Sequence, residues 1–220
     1  LPKHQQRGAD GQAILKKILR EFYKAMERED KGASDTVRST IGLYSKVLFI
    51  LTQMREFATV QQIIQLHNTR YPGRSTPETL PLRLLHNIML ADFYEKKYDR
   101  VKETWELVFR RAIKRYSPAA TLRKPKEEQE SNPEPVIYAQ RFRLCDPLKT
   151  MQRLYLELGD AEGLLKLISR VRAAGFDLDS KNWNYHVQVL ARLKRWREAF
   201  TVCEKVLMPN WTGWQMVRVF

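Results

Sequence analysis

The chain has 220 residues, and its 39 lysines and arginines against 25 aspartates and glutamates give a formal net charge of +14. Two cysteines are too few for a disulfide framework or a cysteine-based zinc site, and no apolar run of about 18 residues is present to span a bilayer. The excess positive charge indicates a polyanionic partner, with nucleic acid first and an acidic protein or membrane surface second, whereas a basic protein without such a partner is the alternative.

Residues 1–33 are predicted to form a polar tail followed by a capping helix. Residues 1–9 are polar, and Asp10 can cap a helix that runs to about Glu29, because Ile14, Ile18 and Phe22 recur on one face. This helix can cap the start of a repeat array or form half of a degenerate repeat.

Residues 34–116 are predicted to form two helical hairpins with degenerate repeat sequences. The first hairpin pairs a helix over residues 34–54 with one over residues 57–71, which the dipeptide Pro72-Gly73 ends. The second begins near Pro81, since proline suits the first turn of a helix, and its second helix covers residues 99–115.

Residues 117–145 are predicted to be a polar, charged insertion. Residues 124–135 are almost entirely charged, polar or proline and offer few groups that can pack. We therefore expect a solvated, flexible segment here.

Residues 146–208 contain the two best-defined hairpins, and residues 209–220 follow them. Gly159-Asp160 separates the two helices of the first hairpin, and Gly175 closes it. The second hairpin restarts at Trp183 and turns at Lys194-Arg195. The last twelve residues are expected to pack on the array or to lead into a further repeat.

A common register relates the four hairpins. The apolar residue after each inter-helix turn is Phe57, Tyr98, Ala161 or Trp196, and the last two are 35 residues apart. The longer spacings are accounted for by the loop near Pro72 and by the polar insertion. A two-helix repeat of this length predicts an all-α solenoid. Three tryptophans are expected on its packing faces: Trp105, Trp183 and Trp196.

The period and its details resemble the pentatricopeptide repeat (PPR) family. The matching residues are Gly159-Asp160, Gly175, Asp179, Trp183-Asn184, Arg195 and Glu198-Ala199. The two earlier hairpins match in length and apolar pattern but lack the glycines. The resemblance implies a right-handed α-solenoid of helix–turn–helix repeats. The closing residues look similar to fungal mitochondrial PPR proteins of the translational-activator type, which implies a location in the mitochondrial matrix.

The resemblance also implies which residues contact RNA. In the family, first helices line a concave face, and a base is read by the fifth residue of the first helix together with the last residue of the repeat. The fifth positions are Lys46, Asn87, Thr150 and Tyr185, and the closing positions are Ser117 and Ser180. Amides and hydroxyls can bond base edges, a lysine can meet a phosphate and a tyrosine can stack on a base. The alternatives are solvated helix positions for Asn87 and Thr150, and partial burial for Tyr185.

A basic run at the last inter-helix turn is a second candidate for RNA contact. It comprises Arg192, Lys194, Arg195 and Arg197. These side chains can meet phosphates, and ordinary surface charge at a solvated turn is the alternative.

Enzymatic chemistry finds little support in the sequence. The four histidines have no cysteine or carboxylate at ligand spacing, and neither a glycine-rich phosphate loop nor a Ser-His-Asp order is evident. We expect no enzyme activity, no cofactor, no metal and no small-molecule substrate.

Three functions remain open from the sequence. The first is a mitochondrial protein that binds single-stranded RNA and supports translation or messenger RNA processing and stability. The second is a structural subunit of the mitochondrial ribosome that docks on ribosomal RNA and neighbouring ribosomal proteins. The third is a protein–protein scaffold without nucleic acid, for which Asp92 and Glu157 on or near first helices are the indication.

Overall fold

The computed structural model of the chain describes residues 3–30, 36–116 and 140–210. All secondary structure within these ranges is helical, which confirms the predicted all-α class. The chain divides into two compact units, Leu1–Lys96 and Lys97–Phe220. Most of the predicted insertion, including Ser117, and the last ten residues lie outside the described ranges.

The α-helices of the described ranges agree closely with those predicted from apolar periodicity. In chain order they are α1 (Lys3–Asp30), α2 (Thr36–Gln53), α3 (Phe57–Arg70), α4 (Leu82–Tyr94), α5 (Tyr98–Tyr116), α6 (Cys145–Leu158), α7 (Ala161–Ala173), α8 (Ser180–Arg192) and α9 (Trp196–Val202).

Two helices differ from the prediction at their ends. Helix α1 begins at Lys3 instead of near Asp10, because most residues before Asp10 are good helix formers and each added residue contributes a backbone hydrogen bond. The last predicted hairpin reaches residue 208, but its second α-helix ends at Val202. Residues 203–207 instead form a π-turn in which the Met208 N–H donates to the Cys203 carbonyl, five residues back.

The inter-helix turns share one backbone conformation. The second helices α3, α5, α7 and α9 begin at the residues that the register predicted. Two residues before each start lies a left-handed residue, and these are Arg55 (φ 64°), Lys96 (φ 60°), Gly159 (φ 68°) and Lys194 (φ 61°). Each donates its N–H to the carbonyl three residues earlier. This is a helix C-terminal motif that glycine accommodates at the lowest energy.

The core of the first unit is built around α2, which packs against α1, α3 and α4. The Tyr44 ring is fully buried and meets the rings of Phe22 and His67 edge-on, at centroid distances of 4.9 and 5.1 Å. Its hydroxyl donates to the Met26 sulfur at 3.6 Å. These contacts join three helices through one aromatic cluster.

The core of the second unit is built around α6, which packs against α5, α7 and α8, while α8 packs against α9. Trp105 and Trp183 are buried, as predicted. The prediction that Trp196 lies in the core was wrong, since 56% of its surface is exposed. Its side of α9 is not covered by the described part of the chain, and Phe200 on the same side is also exposed.

Two aspartates fix the starts of helices in the second unit. The Asp160 carboxylate accepts from the Gly163 N–H at 2.8 Å and caps α7, and the Asp179 carboxylate accepts from the Asn182 N–H at 2.8 Å and caps α8. Each satisfies a backbone donor that has no partner within its own helix. The aspartates that carried the family resemblance therefore have a local structural role.

Candidate nucleic-acid interface

The four fifth-position residues differ sharply in exposure. Lys46 on α2 is exposed and Tyr185 on α8 is half-buried. Asn87 on α4 and Thr150 on α6 are only 3% and 2% exposed. Within each unit, the first helices of successive hairpins pack side by side: α2 packs on α4 in the first unit, and α6 packs on α8 in the second. Asn87 and Thr150 are therefore enclosed, and neither is a solvated helix position.

Asn87 uses its amide within the fold. Its Nδ2 donates to the Ser45 carbonyl at 2.7 Å and to Ser45 Oγ at 3.1 Å. Since Ser45 lies on α2, this pair of bonds ties the first helices of the first unit together. A base contact by the Asn87 amide would require these bonds to open, at a cost of about 1–3 kcal/mol for an unsatisfied buried group.

Tyr185 presents an aromatic face beside a cation. The Lys149 ammonium on α6 lies 5.8 Å from the centroid of the Tyr185 ring on α8. A cation at this distance is attracted to the ring and is also placed to meet a phosphate next to a stacked base. Lys149 was not identified from the sequence, because its proximity to Tyr185 depends on how α6 and α8 pack.

Tyr185 belongs to a row of side chains along one side of α8, which we call the α8 stripe. The stripe consists of Lys181, Tyr185, Gln188 and Arg192, of which all but Tyr185 are exposed. Their spacing places them on one face of the helix. Helix α8 contains no acidic residue, so the stripe carries the positive charges of Lys181 and Arg192 and no negative charge. Helical spacing from Tyr185 would have revealed Lys181 and Gln188 in the sequence.

The residue that follows Tyr185 adds no charge to this surface. His186 is only 2% exposed and lies edge-on to the Trp183 ring, at a centroid distance of 5.9 Å. Burial lowers the pKa of His186 to about 4, because the charged imidazolium is poorly solvated inside the protein. The imidazole is therefore neutral near pH 7.

The basic run at the last turn separates into one structural arginine and three exposed cations. Arg195 Nε donates to Glu198 Oε1 at 2.8 Å, and the same guanidinium pairs with Glu162 on α7. The hydrogen bonds with Glu198 and then Glu162 raise the pKa of Arg195, and the bond from Arg195 lowers the pKa of Glu198. The remaining members of the run, Arg192, Lys194 and Arg197, are exposed.

Ser180, the closing-position residue that the structure describes, is exposed as the first residue of α8. It lies on the wall of an open cavity of about 980 Å³ in the second unit. Trp183, Arg172 and Lys205 line the same cavity. Ser180 and Tyr185 therefore both lie on α8 and are accessible, whereas the partner assigned to Ser180, Thr150, is enclosed.

Within the described ranges, no cluster of three or more histidine, cysteine, aspartate or glutamate side chains is arranged to hold a metal ion. None of the described helices combines the length and apolar character that a membrane crossing requires.

Comparisons with protein-family models, with curated proteins and with solved structures found no match. The resemblance to the PPR family therefore stays a prediction from the residues quoted above. The candidate RNA contacts are the exposed groups of α8 and α9 together with the partly exposed Lys149 of α6.

Proposed function

We propose that the chain is an RNA-binding helical-repeat protein that supports translation or messenger RNA processing and stability in the mitochondrial matrix. The observation that carries the RNA-binding part is the α8 stripe, in which Tyr185 lies between exposed cations on a helix without acidic residues. A positive surface that interleaves aromatic rings suits single-stranded nucleic acid, because phosphates meet the cations and bases stack on the rings. The mitochondrial location comes from the family resemblance alone.

The proposed mode of binding is backbone contact with stacking, without a base-by-base code. Two of the four fifth-position residues, Asn87 and Thr150, are buried between first helices. Lys46 and Tyr185 remain accessible, and neither is suited to discriminate bases by paired hydrogen bonds. Affinity should therefore depend strongly on salt and weakly on sequence.

A right-handed solenoid is the arrangement that we propose for the repeats. Two features support it: the shared left-handed turn before each second helix, and the side-by-side packing of first helices inside each unit. Both are what tandem copies of one helical hairpin produce when each copy packs on its neighbour.

The test is the salt dependence of binding to a labelled single-stranded RNA. If Lys149, Lys181, Arg192 and Lys194 each meet a phosphate, the slope of log affinity against log salt is about −2.8 for a single strand. Affinity then falls about 50-fold between 50 and 200 mM salt. A chain that fails to bind RNA at low salt would refute the proposal.

A second candidate is a structural subunit of the mitochondrial ribosome. The enclosure of Asn87 and Thr150 favours it, since docking on folded ribosomal RNA and proteins needs no base code. Sedimentation of the native protein with ribosomal particles at high salt would support this candidate, and free migration would count against it.

The scaffold function without nucleic acid receives less support. Asp92 is buried at 1% exposure, and Glu157 accepts a hydrogen bond from the Tyr98 hydroxyl. Neither indicates an acidic binding face.

A further inference from the structure

Helix α9 exposes two aromatic rings on the same side. Trp196 is 56% exposed and Phe200 is 64% exposed. They are four residues apart, so their side chains are neighbours along one face of the helix. Large aromatic rings are usually buried, so a neighbouring pair left open to solvent indicates a binding surface.

Two exposed cations are close to these rings in the chain. Lys194 precedes Trp196 by two residues, and Arg197 lies between the rings in sequence; both side chains are exposed. Two acidic groups, Glu162 and Glu198, are both paired with Arg195 at the start of α9. Glu204, one turn beyond Phe200, is exposed and limits the positive region at its far end.

We propose that Trp196, Arg197 and Phe200, together called the α9 platform, stack bases of single-stranded RNA while Lys194 and Arg197 hold its phosphates. This assignment rests on the RNA-binding function proposed above and adds a second contact surface beyond the first helices. Single-stranded RNA is the ligand because its bases have free faces, whereas the bases of a duplex are stacked on one another.

The composition of the α9 platform favours RNA over a protein partner. Lysine is depleted at protein–protein interfaces, yet the exposed Lys194 and Arg197 flank Trp196 in the chain and both carry positive charge. In single-strand binding surfaces, cations and aromatic rings alternate, because each nucleotide brings one phosphate and one base.

The experiment measures binding of the full chain to a fluorescein-labelled oligouridylate by anisotropy. Trp196→Ala and Phe200→Ala should each weaken binding about 5- to 100-fold, as expected for a lost base stack. Trp196→Phe should retain most of the affinity, and the salt slope should stay unchanged, since no phosphate contact is removed. Tyr23→Ala removes a ring of 46% exposure in the other unit and should leave binding unaltered.

A second readout does not depend on the stability of any variant. Ultraviolet crosslinking of the unaltered chain to RNA containing 4-thiouridine should yield crosslinks in the peptide that carries Trp196 and Phe200. Crosslinks confined to α8 would overturn the α9 platform.

The possible failures are distinguishable. If the unaltered chain binds RNA and the double variant Trp196→Ala/Phe200→Ala binds equally well, the α9 platform is wrong and the proposed function stands. An unaltered chain that binds no RNA refutes both. If the double variant loses affinity for duplex RNA and for single-stranded RNA by the same factor, base stacking is excluded. A double variant that keeps its RNA affinity but no longer sediments with ribonucleoprotein particles would assign this surface to a protein instead.

Discussion

The left-handed turns of the second unit allow opposite changes in stability to be made at equivalent positions. Gly159 and Lys194 occupy the same place before α7 and α9, with φ values of 68° and 61°. Each donates its N–H to a carbonyl three residues back, at 3.2 and 3.0 Å. Lys194 is exposed, and a Cβ added at Gly159 would meet nothing within 4 Å. The two positions therefore differ mainly in backbone preference.

The magnitude follows from two opposing terms. A side chain in the left-handed region costs about 1–2 kcal/mol, whereas glycine loses about 0.5–1 kcal/mol more chain entropy on folding than alanine. Lys194→Gly should therefore raise the free energy of unfolding of the second unit by about 0.5–1 kcal/mol. Gly159→Ala should lower it by a similar amount, about 0.5–1 kcal/mol.

The assay is urea unfolding followed by far-ultraviolet circular dichroism at constant salt, with the midpoint and slope compared among variants. Lys194→Ala is the matched control, because it removes the charge and the long side chain but keeps the Cβ. It should give no gain. If Lys194→Ala stabilises the protein as much as Lys194→Gly does, relief of charge repulsion and not backbone conformation is responsible, and the reasoning is refuted.

Three further outcomes test the assigned roles. Burial lowers the pKa of His186 to about 4 from its ordinary 6.5, so the unfolded chain binds a proton on this imidazole more readily than the folded chain does. The free energy of unfolding should therefore fall by about 2 kcal/mol between pH 8 and pH 5. His186→Gln should remove that part of the pH dependence in urea titrations. Asn87→Ala should lower the free energy of unfolding by about 1–3 kcal/mol. If the variant is still folded in the absence of urea but has lost RNA affinity, the Asn87 amide contacts a base instead. Tyr185→Ala should weaken single-stranded RNA binding about 5- to 100-fold in anisotropy titrations while Tyr185→Phe does not, and Arg192→Gln should reduce the salt slope by about 0.7.

The candidate site was only partly predictable, because a position in a repeat does not determine what covers it. Tyr185 and the exposed cations Arg192, Lys194 and Arg197 were identified from the sequence. Arg195 belongs to the same basic run, but Glu162 lies 33 residues away in the chain and reaches it only because the tertiary structure brings the starts of α7 and α9 together. Lys149 was missed for a similar reason, since its contact with Tyr185 joins two helices.

The sequence by itself determined where the second helix of each hairpin begins. The starts of α3, α5, α7 and α9 follow from apolar spacing and local turn chemistry, which act over a few residues. Only the tertiary structure decided which side chains face solvent. Asn87 became enclosed because α4 packs on α2, whereas Trp196 became exposed because the described chain does not cover its side of α9. The burial of a side chain depends on which element packs against its helix face, and the residues of that face do not specify the element.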